Sequence, residues 1–442
     1  DQLTKFLESH NIDFYLTKKQ KIKAHSYNEN KSISYDTKQG DLVIPTSQPL
    51  RKLVDVFFER TTKLSDSITY DITAWSLPYV YGLEAYLTDE KIIKSEYKTN
   101  IKSNSKNNDA IAYASVWNEI NDAKFLSSLL KNNIKVRFNK KDIKSGKLNL
   151  TKGSLIIYKG DQTIENFENI LFLEANKFNI EILDIYTGIS TSGPDLGSDS
   201  VKLIKDKKIA VLAGNDNENS VSSLNYGAIW HFFEQELNYP LIHIKIEDFD
   251  RISLDEFDTL IIPDGYYGSL GNEINLDKIE NWIYKGGNII AIEDAIKIFS
   301  EKDGFSIITK KASRNTSKNI NYEDISRSRI QNYLSGAIFK VKIDKTHPLA
   351  FGYEKDYYSL KTSTNTYELL KKGFNVGKIE NIDDSVLGFV GGKIKDKFKN
   401  SLVFGHERIG RGNITYFTDN ILFRSFWENG KLFLVNSIFY ID

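Results

Sequence analysis

The sequence predicts an α/β chain made of several βαβ units, with a doubly wound, flavodoxin-like domain in its second half. Three observations predict it. Short apolar runs rich in β-branched residues recur after turn signals: Gly40-Asp41 precedes 42–45, Gly153-Ser154 precedes 155–158, and Phe257-Asp258-Thr259 precedes 260–263. Helical patterns alternate with these runs, as expected of parallel strands buried on both faces. Finally, Gly286-Gly287 ends a helical pattern just before the apolar run 288–292, a helix stop feeding directly into a strand.

In chain order, Pro49 opens an apolar-periodic stretch over 49–58, which predicts a helix with proline in its first turn. The polar, Lys/Asn/Ser-rich segment 94–109 is the first boundary. Residues 110–113 and 134–138 read as strands around a helix at 117–131. A second boundary falls at 188–199, GISTSGPDLGSD, whose composition favours turns. The third unit is the clearest, with strands at 208–213, 241–246, 260–263 and 288–292 and helices at 226–237 and 276–284. Beyond Phe299 the chain is polar to about 329. Strand-like stretches follow at 339–343 and 401–404, and a closing strand and helix at 412–417 and 422–440. The expected units are 1–103, 104–206 and 207–442.

Composition narrows the function classes. Hydrophobic residues make up 40% of the 442 positions and aromatics 12%, enough for more than one packed core. Lys+Arg and Asp+Glu balance at 59 each, so nothing points to nucleic acid or an anionic membrane. No Cys is present, which removes disulfides, thiolate-zinc sites and cysteine nucleophiles. No apolar run approaches the roughly 18 residues of a membrane span. The chain opens on Asp1 and contains no Met, which reads as a fragment or a processed form.

Three stretches carry a resemblance: 64–86 (LSDSITYDITAWSLPYVYGLEAY), 226–240 (YGAIWHFFEQELNYP) and 410–440 (GRGNITYFTDNILFRSFWENGKLFLVNSIFY). They resemble segments downstream of the catalytic domain in bacterial M14-type zinc carboxypeptidase-like proteins. That resemblance implies a secreted or periplasmic parent that trims peptides with a zinc-activated water. Zinc would belong to the peptidase domain, which precedes this region, and the region itself would need no cofactor. It also implies that unit 1–103 adjoins that peptidase domain, which becomes the expected partner. From about Lys207 the chain resembles the class I glutamine amidotransferase-like fold. Active members carry a Cys on the sharp turn after a strand; here the strand 288–292 leads to Glu293-Asp294. A carboxylate cannot form the thioester, so glutaminase chemistry is excluded by residue type.

The remaining candidates are few. His231 and Glu234 lie three apart, with His347 downstream, a spacing that suits zinc if both share a helix face; Trp230, Phe233 and Leu237 favour a packing helix instead. Glu293 ends a strand where doubly wound sheets hold ligands, and Asp264, Tyr266 and Tyr267 follow another strand into the same crevice. Tyr70, Asp71 and Trp75 suit an interface with the peptidase domain or a peptide subsite. Gly193 to Ser198 lacks the ending of a phosphate loop and reads as a turn. His406 follows a strand without an assigned role, and His10 and His25 have no metal-like partners. No catalytic residue emerges. The expectation is a non-catalytic accessory or scaffolding region that holds a peptide or glycan at the strand ends. The alternative is an independent hydrolase or small-ligand-binding domain using that crevice.

Overall fold

The computed structural model describes residues 2–61, 76–96, 104–311, 321–381 and 385–441. In the N-terminal unit the run beginning at Leu42 contributes only a two-residue strand, Leu42–Val43, which pairs antiparallel with Tyr15–Leu16. A second small sheet, Lys21–Ser26 with Lys31–Asp36 and Tyr86–Leu87, is also antiparallel. The alternating pattern KIKAHS buries Ile22 and Ala24 on one face. The expectation of a parallel strand at 42–45 is corrected: its residues are only half-buried, and the local run does not encode which strand it meets.

The middle unit is a five-stranded sheet in the order Leu183–Ile185, Ala112–Ser115, Leu155–Tyr158, Arg137–Asn139, Val201–Leu203. Every pair is antiparallel. Ala112–Ser115 and Arg137–Asn139 therefore flank Leu155–Tyr158 and run parallel to each other, with helix Ile120–Lys131 crossing between them. The βαβ crossover is present, but an antiparallel strand is threaded through its middle. Leu155 and Ile157 pack with helix residues Phe125, Leu126 and Leu129, while Ile156 packs with Ile143, Leu150 and Leu196 on the other face. Burial on both faces explains the continuous apolar run; composition does not fix strand direction.

The large sheet positions the candidate site. Its strands are β1 (Ile209–Ala213), β2 (Ile242–Lys245), β3 (Thr259–Ile262), β4 (Asn288–Ile292), β5 (Leu334–Ile343), β6 (Tyr357–Lys361), β7 (Phe374–Ile379), β8 (Ser385–Val390), β9 (Ser401–Ile409) and β10 (Gly412–Phe417). They are ordered β2-β1-β3-β4-β10-β9-β7-β5-β6, with β8 also paired to β5. From β2 to β10 the strands are parallel, and beyond β10 they are antiparallel. The parallel half has the flavodoxin-like order, in which the first strand lies inside the second and the chain then moves outward. Alternate residues feed two cores. Ala210, Leu212, Leu260, Ile262, Ile289 and Ala291 pack with Ile279, Trp282 and Ile283 of helix Glu273–Lys285. Val211, Ile261, Ile290 and Ile292 face Ile229, Phe232 and Phe233 and the C-terminal helix Glu428–Phe439.

That last helix ties the sheets together. Asn436 Oδ1 accepts from Trp117 Nε1 at 3.0 Å, and the Tyr440 hydroxyl donates to the Gly153 carbonyl at 2.7 Å. The Tyr440 ring also stacks on Phe138, with centroids 4.3 Å apart.

Candidate functional site

The carboxyl ends of the parallel strands gather a cluster of acids. Asp264 follows β3 by two residues, Glu293 and Asp294 follow β4 at once, and Asp419 follows β10 by two. From the antiparallel half, Lys361 ends β6. Glu293 takes a positive φ of +52°, a conformation that costs a residue with a Cβ about 1–2 kcal/mol. This turn sends the chain from β4 into the short 3₁₀ segment Glu293–Ile298.

Hydrogen bonds lock the surroundings. The Asp294 backbone N–H donates to Asp264 Oδ1 at 3.1 Å, and the Asp264 N–H donates to Asn225 Oδ1 at 3.1 Å. Asn225, buried in the first turn of helix Ser223–His231, directs its Nδ2 to Glu293 Oε2 at 3.5 Å. Asp294 is held by Asn365 Nδ2 at 2.6 Å and by Lys297 Nζ at 2.7 Å. Asp419 receives Ser359 Oγ at 2.6 Å and Lys361 Nζ at 2.7 Å. Lys361 and Asp419 are 0% and 5% exposed, so their charges face each other rather than water.

Electrostatics single out Glu293. Burial, then the charges of Asp264, Asp419 and Asp294, push its carboxyl up to about 8, against a smaller lowering by Lys361. Burial likewise raises Asp264. At neutral pH Glu293 therefore keeps its proton and can act as a hydrogen-bond donor. The sequence pointed to Asp264 and Glu293, and the structure brings them together. It missed Asn225, Asn365, Lys361 and Asp419. Only Asp419 offered a signal, lying just past the strand-like run 412–417, and its pairing with Lys361 across 58 positions is invisible in one dimension.

The two tyrosines divide. Tyr266 lies in the short strand Gly265–Tyr267, which packs beside the Glu293 turn, and is 71% exposed. Tyr267 is tucked in, its hydroxyl donating to the Pro263 carbonyl at 2.7 Å. Tyr70, Asp71 and Trp75 lie outside the described residues. The zinc spacing does not assemble. The helix carrying His231 changes to a π-turn over Phe232–Leu237, which breaks the three-residue register. Glu234 is exposed, His231 Nδ1 lies 3.3 Å from Glu236, and His347 packs instead against His406. Among the described residues no three His, Asp or Glu side chains converge as metal ligands.

No family model matches the sequence, and no curated protein does. Among solved structures the chain is similar to a ThuA-like protein from Bacteroides uniformis, with 13% identity and a TM-score of 0.31 over 52% of this chain and 88% of that one. It is also similar to a glutamine amidotransferase from Thermotoga maritima, with 9% identity and a TM-score of 0.32 over 53% and 96%. An exo-β-1,4-mannosidase from Opitutaceae bacterium strain TAV5 gives 11% identity and a TM-score of 0.28 over 50% of this chain. The chain spans 33% of that enzyme's length. These are slight likenesses, and the class follows from the strand order: an α/β chain with a flavodoxin-like domain in its second half. No described helix is long and apolar enough to cross a membrane.

Proposed function

We propose that this chain is a non-catalytic accessory region that holds a peptide or glycan at the carboxyl ends of β3, β4 and β10. One observation carries the reading. The sharp turn after β4, where the amidotransferases it resembles place a thiol, holds the desolvated carboxyl of Glu293 at φ +52°. A protonated carboxyl is a poor nucleophile but a good hydrogen-bond donor. Beside it, Asp264 and Asp294 supply acceptors and Tyr266 an exposed ring. Such a mixed set suits a ligand rich in hydroxyl or amide groups. The finer reading is that the region serves the peptidase domain of a secreted or periplasmic zinc carboxypeptidase-like parent; its support is the three sequence segments 64–86, 226–240 and 410–440.

A second reading uses the same observation differently. A carboxyl that keeps its proton near neutrality suits general acid catalysis, which would make the crevice an independent hydrolase. The two separate in one experiment. The purified chain is assayed for glutamine hydrolysis, release of C-terminal residues and glycoside hydrolysis, and in parallel for binding to oligosaccharide and peptide panels by calorimetry. Saturable binding without turnover, weakened in Glu293→Gln, is expected. Turnover abolished in Glu293→Gln would replace the accessory reading with the hydrolase.

A further inference from the structure

Helix Ser223–His231 runs on into the π-turn Phe232–Leu237, and its inner side is fully packed. Asn225, Ala228, Ile229, Phe232 and Phe233 are at most 4% exposed. The outer side is uncovered. Trp230 is 40% exposed, and Ser223 and Glu234 are exposed as well. Between them, a methyl group placed on Gly227 would meet no heavy atom within 4 Å outside its own turn of helix. The Tyr226 hydroxyl lies 2.9 Å from His243 Nδ1. That contact sets the helix beside β2, the last strand at this margin of the sheet.

The outward residues have a spacing that pairs with itself. Ser223, Gly227, Trp230 and Glu234 are separated by four, three and four positions, so they follow one line along the helix surface. The π-turn does not break that line, because Glu234 stays on the solvent side. The intervals read the same from either end. Two copies packed antiparallel about a two-fold axis therefore set Trp230 of each over Gly227 of the other, and Glu234 of each at Ser223 of the other. The first match is one of shape: an indole enters the open space over a glycine, which lets the two helices approach. The second is one of charge. Ser223 is the first residue after the N-cap Ser222, where N–H groups without intrahelical partners carry the positive end of the helix dipole. A carboxylate from the other copy complements it. The two Glu234 side chains stand roughly 16 Å apart along the contact, beyond the reach of strong repulsion in salt.

We propose that this face docks a second copy of the chain, the two helices lying antiparallel with Trp230 of each seated on Gly227 of the other and Glu234 of each at the other's helix N-terminus. One helix about 22 Å long offers less than the roughly 800 Å² per partner of a tight dimer. A weak, concentration-dependent dimer is therefore expected. The contact uses the outer side of the helix, whereas Asn225 turns to Glu293 from the inner side, so the proposal does not depend on the function proposed for the crevice.

Sedimentation velocity of the full chain over about 2 to 200 µM reads the association directly. A monomer–dimer equilibrium is expected, weakened about tenfold or more in Trp230→Ala. Gly227→Leu is the sharper variant. Its side chain meets open space in a single copy and blocks the seat of the other copy's Trp230, so it should abolish the dimer without lowering the thermal midpoint. The chain contains no Cys, which lets crosslinking read the register. A short bismaleimide should join Ser223→Cys to Glu234→Cys in a mixture of the two proteins, and should join neither variant to itself. The wild-type series tests the association whether or not a variant folds. A monomer throughout that range means that something other than a second copy covers the face, and overturns the proposal. So does a dimer that keeps its strength in Gly227→Leu, or one in which each cysteine variant links to itself.

Discussion

Replacing Glu293 with Gln removes a carboxyl that the fold holds protonated at neutral pH, and the size of the effect can be worked out. Its carboxyl is moved from an ordinary 4.5 to about 8, first by burial and then by the charges of Asp264, Asp419 and Asp294. In the unfolded chain the same group ionises near its ordinary value. Between about pH 4.5 and 8 the folded state therefore binds more protons than the unfolded state, and stability falls as pH rises, levelling off above 8. At about 1.36 kcal/mol per pH unit the whole shift corresponds to about 5 kcal/mol. Glu293 keeps some contact with solvent and shares its proton with a cluster, which reduces the expected effect to about 2–3 kcal/mol. Glutamine has nearly the same shape and no ionised form. Urea unfolding of both proteins at pH 5, 7 and 9 should show the wild type losing about 2–3 kcal/mol more than the variant across that range. Parallel pH profiles would refute the claim that Glu293 is forced to hold its proton.

Two further outcomes follow from contacts. Lys361→Met leaves Asp419 as a buried carboxylate without its cation, and should cost about 3–5 kcal/mol in denaturant unfolding. Adding Asp419→Leu to the same protein should restore much of it, because the stranded charge goes as well. Gly287→Ala would bring a Cβ within 2.3 Å of Trp282 Cδ2, and Trp282 is only 4% exposed. It should lower stability by about 1–3 kcal/mol, read as a lower thermal midpoint.

Much of the fold was legible where burial on both faces leaves an unbroken apolar run. Asn288–Ile292 and Gly412–Phe417 form the strands that the sequence predicted, and 276–284 lies inside the observed helix Glu273–Lys285. Direction was not legible: 155–158 is a buried strand whose neighbours run antiparallel, since residue type records burial rather than partner. The π-turn over Phe232–Leu237 was hidden because its six residues keep an apolar face in either helix geometry. In the site, the place of Glu293 was legible from a strand end followed by acids. Its strain and raised protonation were not, because they depend on Asp264, Asp419 and Lys361 arriving from other strands. His406 was visible only as a histidine in a strand; that it packs against His347, 59 residues earlier in the sequence, is a product of sheet pairing.

That pairing also sets how the crevice and the histidine pair should interact. β5 runs from one to the other: Ala337 pairs with Lys361 at the crevice end, and Ile343 leads into Asp344, whose carbonyl accepts the His347 N–H. Seven residues of strand at about 3.3 Å each place them roughly 20 Å apart. They have no residue in common, and perturbations farther apart than about 7–10 Å without shared partners add within about 0.5 kcal/mol. Glu293→Gln combined with His406→Gln should therefore change stability by the sum of the single effects, measured by urea unfolding at one pH. A discrepancy above about 1 kcal/mol would mean that β5, or the C-terminal helix packed across both sheets, has two arrangements that each of them biases. The crevice and the histidine pair would then be two ends of one device rather than independent features of a rigid sheet.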